Sequence, residues 1–241
     1  MALTATVPIA RRRKSFLHVG LSLLTAAIVL AGFWPDYYGS LLRNAPVHRP
    51  VVVHAHAVVF TGWLVLFVTQ AVLAATGRIR EHLRFGRIGA WYGAGLIVVG
   101  MYTAVARSAA QPAGQREILL WVTLVDMAVF SAFFGAALWF RRTPQLHKRL
   151  MTAAAVSLVI ASVARMTFLP GPPAGQFVRF LLWSAPILIA IAHDARYARR
   201  LHPVYVIALV MFAFRMWSTP VITPTAQWTD LTARVLALVG E

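Results

Sequence analysis

Residues 51–75 read VVVHAHAVVFTGWLVLFVTQAVLAA, and they decide the fold of this protein. The stretch contains no Asp, Glu, Lys or Arg, and it is longer than the roughly 20 residues that a helix needs to cross a bilayer. Hydrophobic residues would surround such a helix on every side, as expected where the solvent is hydrocarbon. The stretch therefore predicts a transmembrane helix, and it raises the question of why two histidines stand near its start.

The composition of the whole chain supports a membrane protein. Of its 241 residues, 59% are hydrophobic, and the mean hydropathy is +0.69, well above that of a soluble domain. We predict an all-α integral membrane protein, with a bundle of about seven transmembrane helices in residues 1–217 and a short interfacial helix in the tail, residues 218–241. The predicted spans are residues 15–34, 51–75, 88–106, 118–140, 150–169, 177–192 and 204–217.

The distribution of positive charge predicts the orientation. Connections rich in Lys and Arg stay cytoplasmic. Fifteen of the 23 Lys and Arg residues, starting with the cluster Arg11 to Lys14, lie in segments on the same side of the membrane as the N-terminus. We therefore expect a cytoplasmic N-terminus, an outside C-terminus and a bacterial inner-membrane location. The net charge of +16 then indicates contact with anionic lipids. Nucleic acid is not an expected partner, because the charge is divided among separate cytoplasmic segments.

Two further features limit the class of protein. Cysteine is absent, which excludes disulfides, iron–sulfur clusters and covalently attached c-type haem. The basic N-terminus followed by an apolar run resembles a signal peptide, but no small-residue cleavage site follows, so we predict a retained helix.

Histidines recur at the predicted cytoplasmic ends. Four helices that would enter from that side each carry a histidine beside a basic cluster, and the sixth helix ends in a His-Asp pair. These residues are candidates for a ligand site, or they are ordinary interfacial residues. They are His18, His82, His147, His202 and the pair His193 and Asp194.

Two of these segments resemble a known family. HLRFGR, from His82, and HKRLM, from His147, are similar to the histidine-arginine-x-x-glycine-arginine and histidine-arginine-x-x-methionine motifs of a family of uncharacterised bacterial multi-pass membrane proteins. Leu83 and Lys148 stand where the family has arginine. The resemblance covers residues 51–165 and implies a membrane fold without naming a reaction. It also marks Arg165, Gln70 and one of His54 and His56.

Charged residues within the spans are costly in hydrocarbon unless they are paired or reach water. Asp126 is the only acidic residue in a predicted span, and Arg165 and Arg215 lie near the outer ends of two others. We expect Asp126 to pair with one of these arginines. We also place Gln70 and Tyr102 as candidates in the same outer polar layer.

The two histidines of the opening stretch are separated by one residue. Because a helix turns 100° per residue, His54 and His56 point about 200° apart, so only one is expected to face the bundle interior. The other is expected at the outer headgroup level. A two-ligand grip on one helical face would need a spacing of three or four.

Several functions fit these residues. One hypothesis is a b-type haem or transition metal for electron transfer, with His54, His56, His82 and His147 as ligands and Arg165 and Arg215 near the cofactor. A second is a proton-coupled carrier of a small anionic or polar molecule that uses Asp126 and the two arginines. A zinc hydrolase and a structural or assembly factor without chemistry are the remaining alternatives.

Overall fold

The computed structural model describes residues 16–43, 49–171, 174–197 and 199–238, and all regular structure in these ranges is helical. The basic cluster Arg11 to Lys14 lies outside the described residues. The helices are α1 (Leu17–Leu42), α2 (Val51–Thr76), α3 (Ile79–Ala109), α4 (Gln115–Trp139), α5 (Pro144–Val163), α6 (Ala174–Tyr197), α7 (Pro203–Ile222) and α8 (Ala226–Ala237).

Within the described ranges, α1 to α7 are long and apolar enough to cross a membrane, so the prediction of seven such helices is confirmed. The observed bounds differ from the predicted ones where a helix continues through a charged segment. α3 begins nine residues before the predicted apolar span, because backbone hydrogen bonding continues through the charged segment REHLRFGR. Hydropathy marks the part suited to hydrocarbon and does not mark the end of the helix.

Two of the helices are irregular. A π-helical turn, Trp34–Tyr38, interrupts α1 near its C-terminal end. α5 is broken after Ser157 and ends at Val163, six residues before the predicted end of that span. Both irregularities lie at the end of the bundle where α2 begins, and they place polar side chains there.

α5 forms the centre of the bundle. It packs against α1, α4, α6 and α7, and its alanine-rich middle, including Ala153, Ala154 and Val156, is completely buried. Small side chains allow neighbouring helices to approach closely in a membrane protein. Because α6 lies close to α5, the indole Nε1 of Trp183 on α6 donates a hydrogen bond to the carbonyl of Val156 at 2.8 Å.

The predicted short helix in the tail is present as α8. Its first turn is capped by the Thr225 side chain, which accepts a hydrogen bond from Trp228 N. Trp228 is 9% exposed, packs edge-on against Trp121 of α4 and donates from its indole to the carbonyl of Glu117 at 3.0 Å. α8 is therefore docked against the start of α4.

Candidate functional site

Arg215 and Asp126 form a closed pair within the bundle. Arg215 of α7 donates from Nε to Oδ1 of Asp126 on α4 at 2.9 Å and from Nη2 to Oδ2 at 3.1 Å. Both side chains are about one-tenth exposed. The expected pairing of Asp126 with an arginine is thus found, and a two-pronged contact of this kind neutralises both charges where an isolated charge would be costly.

Arg165 does not join that pair. It follows the end of α5, its guanidinium donates to the carbonyl of Ala161, and its Cζ lies 4.6 Å from the centre of the Phe33 ring. The contact with Phe33 is a cation–π interaction that links this turn to α1.

The two histidines of the opening stretch have different surroundings, in agreement with their angular separation. His54 Nδ1 is hydrogen-bonded to the hydroxyl of Tyr37, 2.9 Å away in the π-helical turn of α1. The ring of His56 instead stacks on Phe60 with centroids 4.0 Å apart, and its Nδ1 is buried without a hydrogen-bond partner among the described residues. The partner of His54, Tyr37, had no signal in the sequence, because the π-helical turn that presents it was not predicted.

The expected outer polar layer is wrong for two residues. Tyr102 is 61% exposed on α3 and turns away from the bundle. Gln70 lies sixteen residues beyond His54 on α2, roughly 24 Å along a helix, and its backbone carbonyl contacts His82 at the opposite end. Only its polar side chain suggested that Gln70 lies in the same layer as Asp126, and the length of α2 separates the two residues.

His82 and His147 form a pair at the end of the bundle opposite to His54. Their rings lie on α3 and α5, with centroids 6.4 Å apart and planes at 85°. His82 Nδ1 donates to the Gln70 carbonyl at 3.3 Å, and His147 Nδ1 donates to the Ala137 carbonyl at 2.7 Å. Hydrogen bonds to carbonyls hold a neutral imidazole in the tautomer whose Nε2 is an available lone pair.

The side chain of Gln70 is an unusual neighbour of this pair. Its amide nitrogen and oxygen are both buried, and neither has a hydrogen-bond partner among the described residues. It packs beside Gly86, one turn beyond His82 on α3. Buried polar groups are normally hydrogen-bonded, so a partner such as a water or a ligand atom is expected here.

A second polar cluster lies at the same end. Arg149 of α5 makes a two-pronged salt bridge to Asp194 of α6, with nitrogen–oxygen distances of 2.9 to 3.2 Å. His193 Nδ1 is 3.7 Å from the same carboxylate, and the Arg149 guanidinium lies over the ring of Tyr205 at 5.8 Å. The Nε2 of His18 and the hydroxyl of Tyr205 are buried without partners in the described part of the chain.

The sequence does not distinguish Arg149 as a site residue, because it lies beside Lys148 in a basic segment typical of a cytoplasmic helix end. The available signal was Asp194, a lone carboxylate in a basic segment, which requires a cation. Nearby, His202 accepts a hydrogen bond from Val204 N at the start of α7. Burial lowers the pKa of His202, and Arg149 lowers it further, which favours the neutral imidazole that this cap requires.

The structure brings the candidate metal ligands together in pairs, such as His82 and His147. In the part of the chain that the structure describes, no group of three or more His, Cys, Asp and Glu side chains is arranged to hold a metal ion. A metal at His82 and His147 would therefore need a further ligand of another kind, such as an amide oxygen, water or a porphyrin.

In the described part of the chain, the fold and these clusters are those of a helical protein with seven membrane-length helices and paired histidines at one end. Comparison with protein-family models, curated proteins and solved structures finds no match.

Proposed function

We propose that this protein is a multi-pass protein of the bacterial inner membrane that binds a redox-active cofactor, a b-type haem or a transition metal, between His82 and His147. In this proposal its role is electron transfer. The N-terminus is cytoplasmic and the C-terminus is outside, so the cofactor lies toward the cytoplasmic surface.

The spacing of the two imidazoles carries the proposal. Two imidazoles that bind one metal ion, with metal–nitrogen bonds of about 2.0–2.1 Å, have ring centres roughly 5–6.5 Å apart, depending on the angle at the metal. The observed separation of His82 and His147 is 6.4 Å. His82 and His147 would each supply an imidazole nitrogen to the metal, and imidazole is a ligand suited to haem iron and to copper.

The hydrogen bonds of the two rings give further support. Histidines that bind metals usually donate their second ring N–H to a carbonyl or carboxylate, which fixes the tautomer and the ring orientation. Both histidines donate Nδ1 to backbone carbonyls at the ends of the preceding helices. Neither Nε2 has a hydrogen-bond partner within the described residues.

The Asp126 and Arg215 pair favours a structural role for the middle of the bundle. Both carboxylate oxygens accept from the guanidinium, so the negative charge of Asp126 and the positive charge of Arg215, which could otherwise attract an anion, compensate each other. We therefore assign these residues to helix packing and not to a carrier site.

The test is a reduced-minus-oxidised absorption spectrum of protein purified in mild detergent, with iron, copper and zinc measured on the same sample. A Soret band with sharp reduced bands identifies haem, and stoichiometric copper or iron without those bands identifies a metal centre. Protein that stays colourless and metal-free, even after incubation with haem and with each metal, would overturn the proposal.

A further inference from the structure

The first turns of α3 carry a row of cationic residues on one face. Arg80, Arg84, Arg87 and Trp91 follow the spacing of four, three and four residues that places side chains on one side of a helix. All four are exposed, Trp91 to 83%. Arg84, Arg87, Ile88 and Trp91 also line a common open groove.

This row lies on the side of α3 that faces away from the protein. The packed side is formed by Gly89, Gly93 and Leu96, all of which are buried. Gly89 follows Arg87 by two residues, and Gly93 follows Trp91 by two, which corresponds to a rotation of about 200°. The arginine row is therefore directed toward whatever surrounds the bundle.

The arginines of the row are not neutralised by the protein. Among the described residues, Arg80, Arg84 and Arg87 have no carboxylate partner, whereas the adjacent Arg78 pairs with Glu81 at 3.2 Å. Three unpaired guanidinium groups on one exposed face are an attractive surface for an anion.

The position of the row along α3 indicates which anion. The uncharged apolar part of α3 begins at Ile88 and continues to residue 106, which is roughly 28 Å at 1.5 Å per residue. Arg84 and Arg87 thus lie within about 6 Å of the hydrocarbon boundary, at the depth of lipid phosphates. Trp91 lies one turn inside that boundary, where tryptophan is enriched.

We propose that this face of α3 binds an anionic phospholipid. Its phosphate lies between Arg84 and Arg87, because a guanidinium matches phosphate oxygens with paired hydrogen bonds. Arg80 extends the cationic surface toward the headgroup, and the upper part of an acyl chain packs on Ile88 and Trp91. The proposal does not depend on the cofactor proposed above.

The experiment counts lipids that remain bound to detergent-purified protein by native mass spectrometry, after addition of phosphatidylglycerol, phosphatidylcholine or inorganic phosphate. The wild type is expected to retain phosphatidylglycerol in preference to phosphatidylcholine. In the double variant R84Q/R87Q, affinity for phosphatidylglycerol should fall roughly 25-fold, at about fivefold for each arginine.

The matched control is R141Q/R142Q, which removes two exposed arginines from the turn after α4, at the same end of the bundle. It should retain the lipid as the wild type does, and both doubles should keep the wild-type melting temperature in detergent alone. Equal loss of phosphatidylglycerol from the two double variants would show that diffuse surface charge holds the lipid, and would overturn the proposal. Competition by inorganic phosphate at matched concentration would show a site for the soluble ion and would also overturn the proposal.

Discussion

Arg215 of α7 holds both carboxylate oxygens of Asp126 on α4, with nitrogen–oxygen distances of 2.9 and 3.1 Å, across 89 residues of sequence. The pair lies inside the bundle, where neither charge has ready access to water. Removal of one partner would leave the other charge buried and unpaired, which costs far more than loss of a surface salt bridge.

We therefore expect Asp126→Asn to destabilise the protein by about 3–5 kcal/mol, measured as a lower melting temperature in detergent. Asp230→Asn is the control, because Asp230 pairs with Arg234 on α8 in an exposed salt bridge and should change stability by less than about 1 kcal/mol. Cofactor absorbance should be unaffected in both variants. Equal melting temperatures for the two variants would contradict a structural role for the buried pair.

The histidine pair predicts a selective loss of cofactor. His82→Ala and His147→Ala should each lower cofactor retention at least about tenfold, because each removes one of the two ligands. His202→Ala changes a histidine at the same end that caps α7, and it should keep the wild-type absorbance and metal content. Retention of the cofactor in both ligand variants would place the site elsewhere in the bundle.

Two glycines of α1 differ in what a larger side chain would meet. A Cβ at Gly32 would lie 2.2 Å from the backbone carbonyl oxygen of Ser162, whereas a Cβ at Gly20 would have no atom within 4 Å. Gly32→Ala must push α1 away from α5 and should cost about 1–3 kcal/mol. Gly20→Ala should be neutral or stabilising by up to about 1 kcal/mol. Thermal unfolding of the two variants side by side measures the difference, and an unchanged melting temperature for Gly32→Ala would refute the close contact.

The docking of α8 depends on one indole. Trp228→Ala removes the packing against Trp121 and the hydrogen bond to Glu117, so the amide protons of Ala226–Ala237 should exchange with solvent faster. Trp139→Ala is the control, since Trp139 is 80% exposed at the end of α4. Hydrogen exchange read by mass spectrometry tests this directly. Unchanged protection of α8 in the Trp228 variant would show that other contacts hold it.

The amino-acid sequence by itself determined the fold class and the number of membrane-length helices. Both follow from hydrophobic length, which is a local property that can be counted along the chain. The same counting identified Asp126 as the acidic residue that needs a buried partner, because a lone carboxylate in an apolar run is costly wherever the run is placed. The histidines at one end, including His82 and His147, were also visible as a repeated pattern.

Only the tertiary structure decided which residues meet. It paired Asp126 with Arg215 and not with Arg165, and it placed Gln70 beside His82. It also joined Arg149 to Asp194 across 45 residues. When a helix is apolar on every side, its sequence does not indicate which face contacts the neighbouring helices. Helix rotation and partner choice are set by close packing, such as the approach of Gly32 to Ser162, and that packing exists only once the helices are assembled.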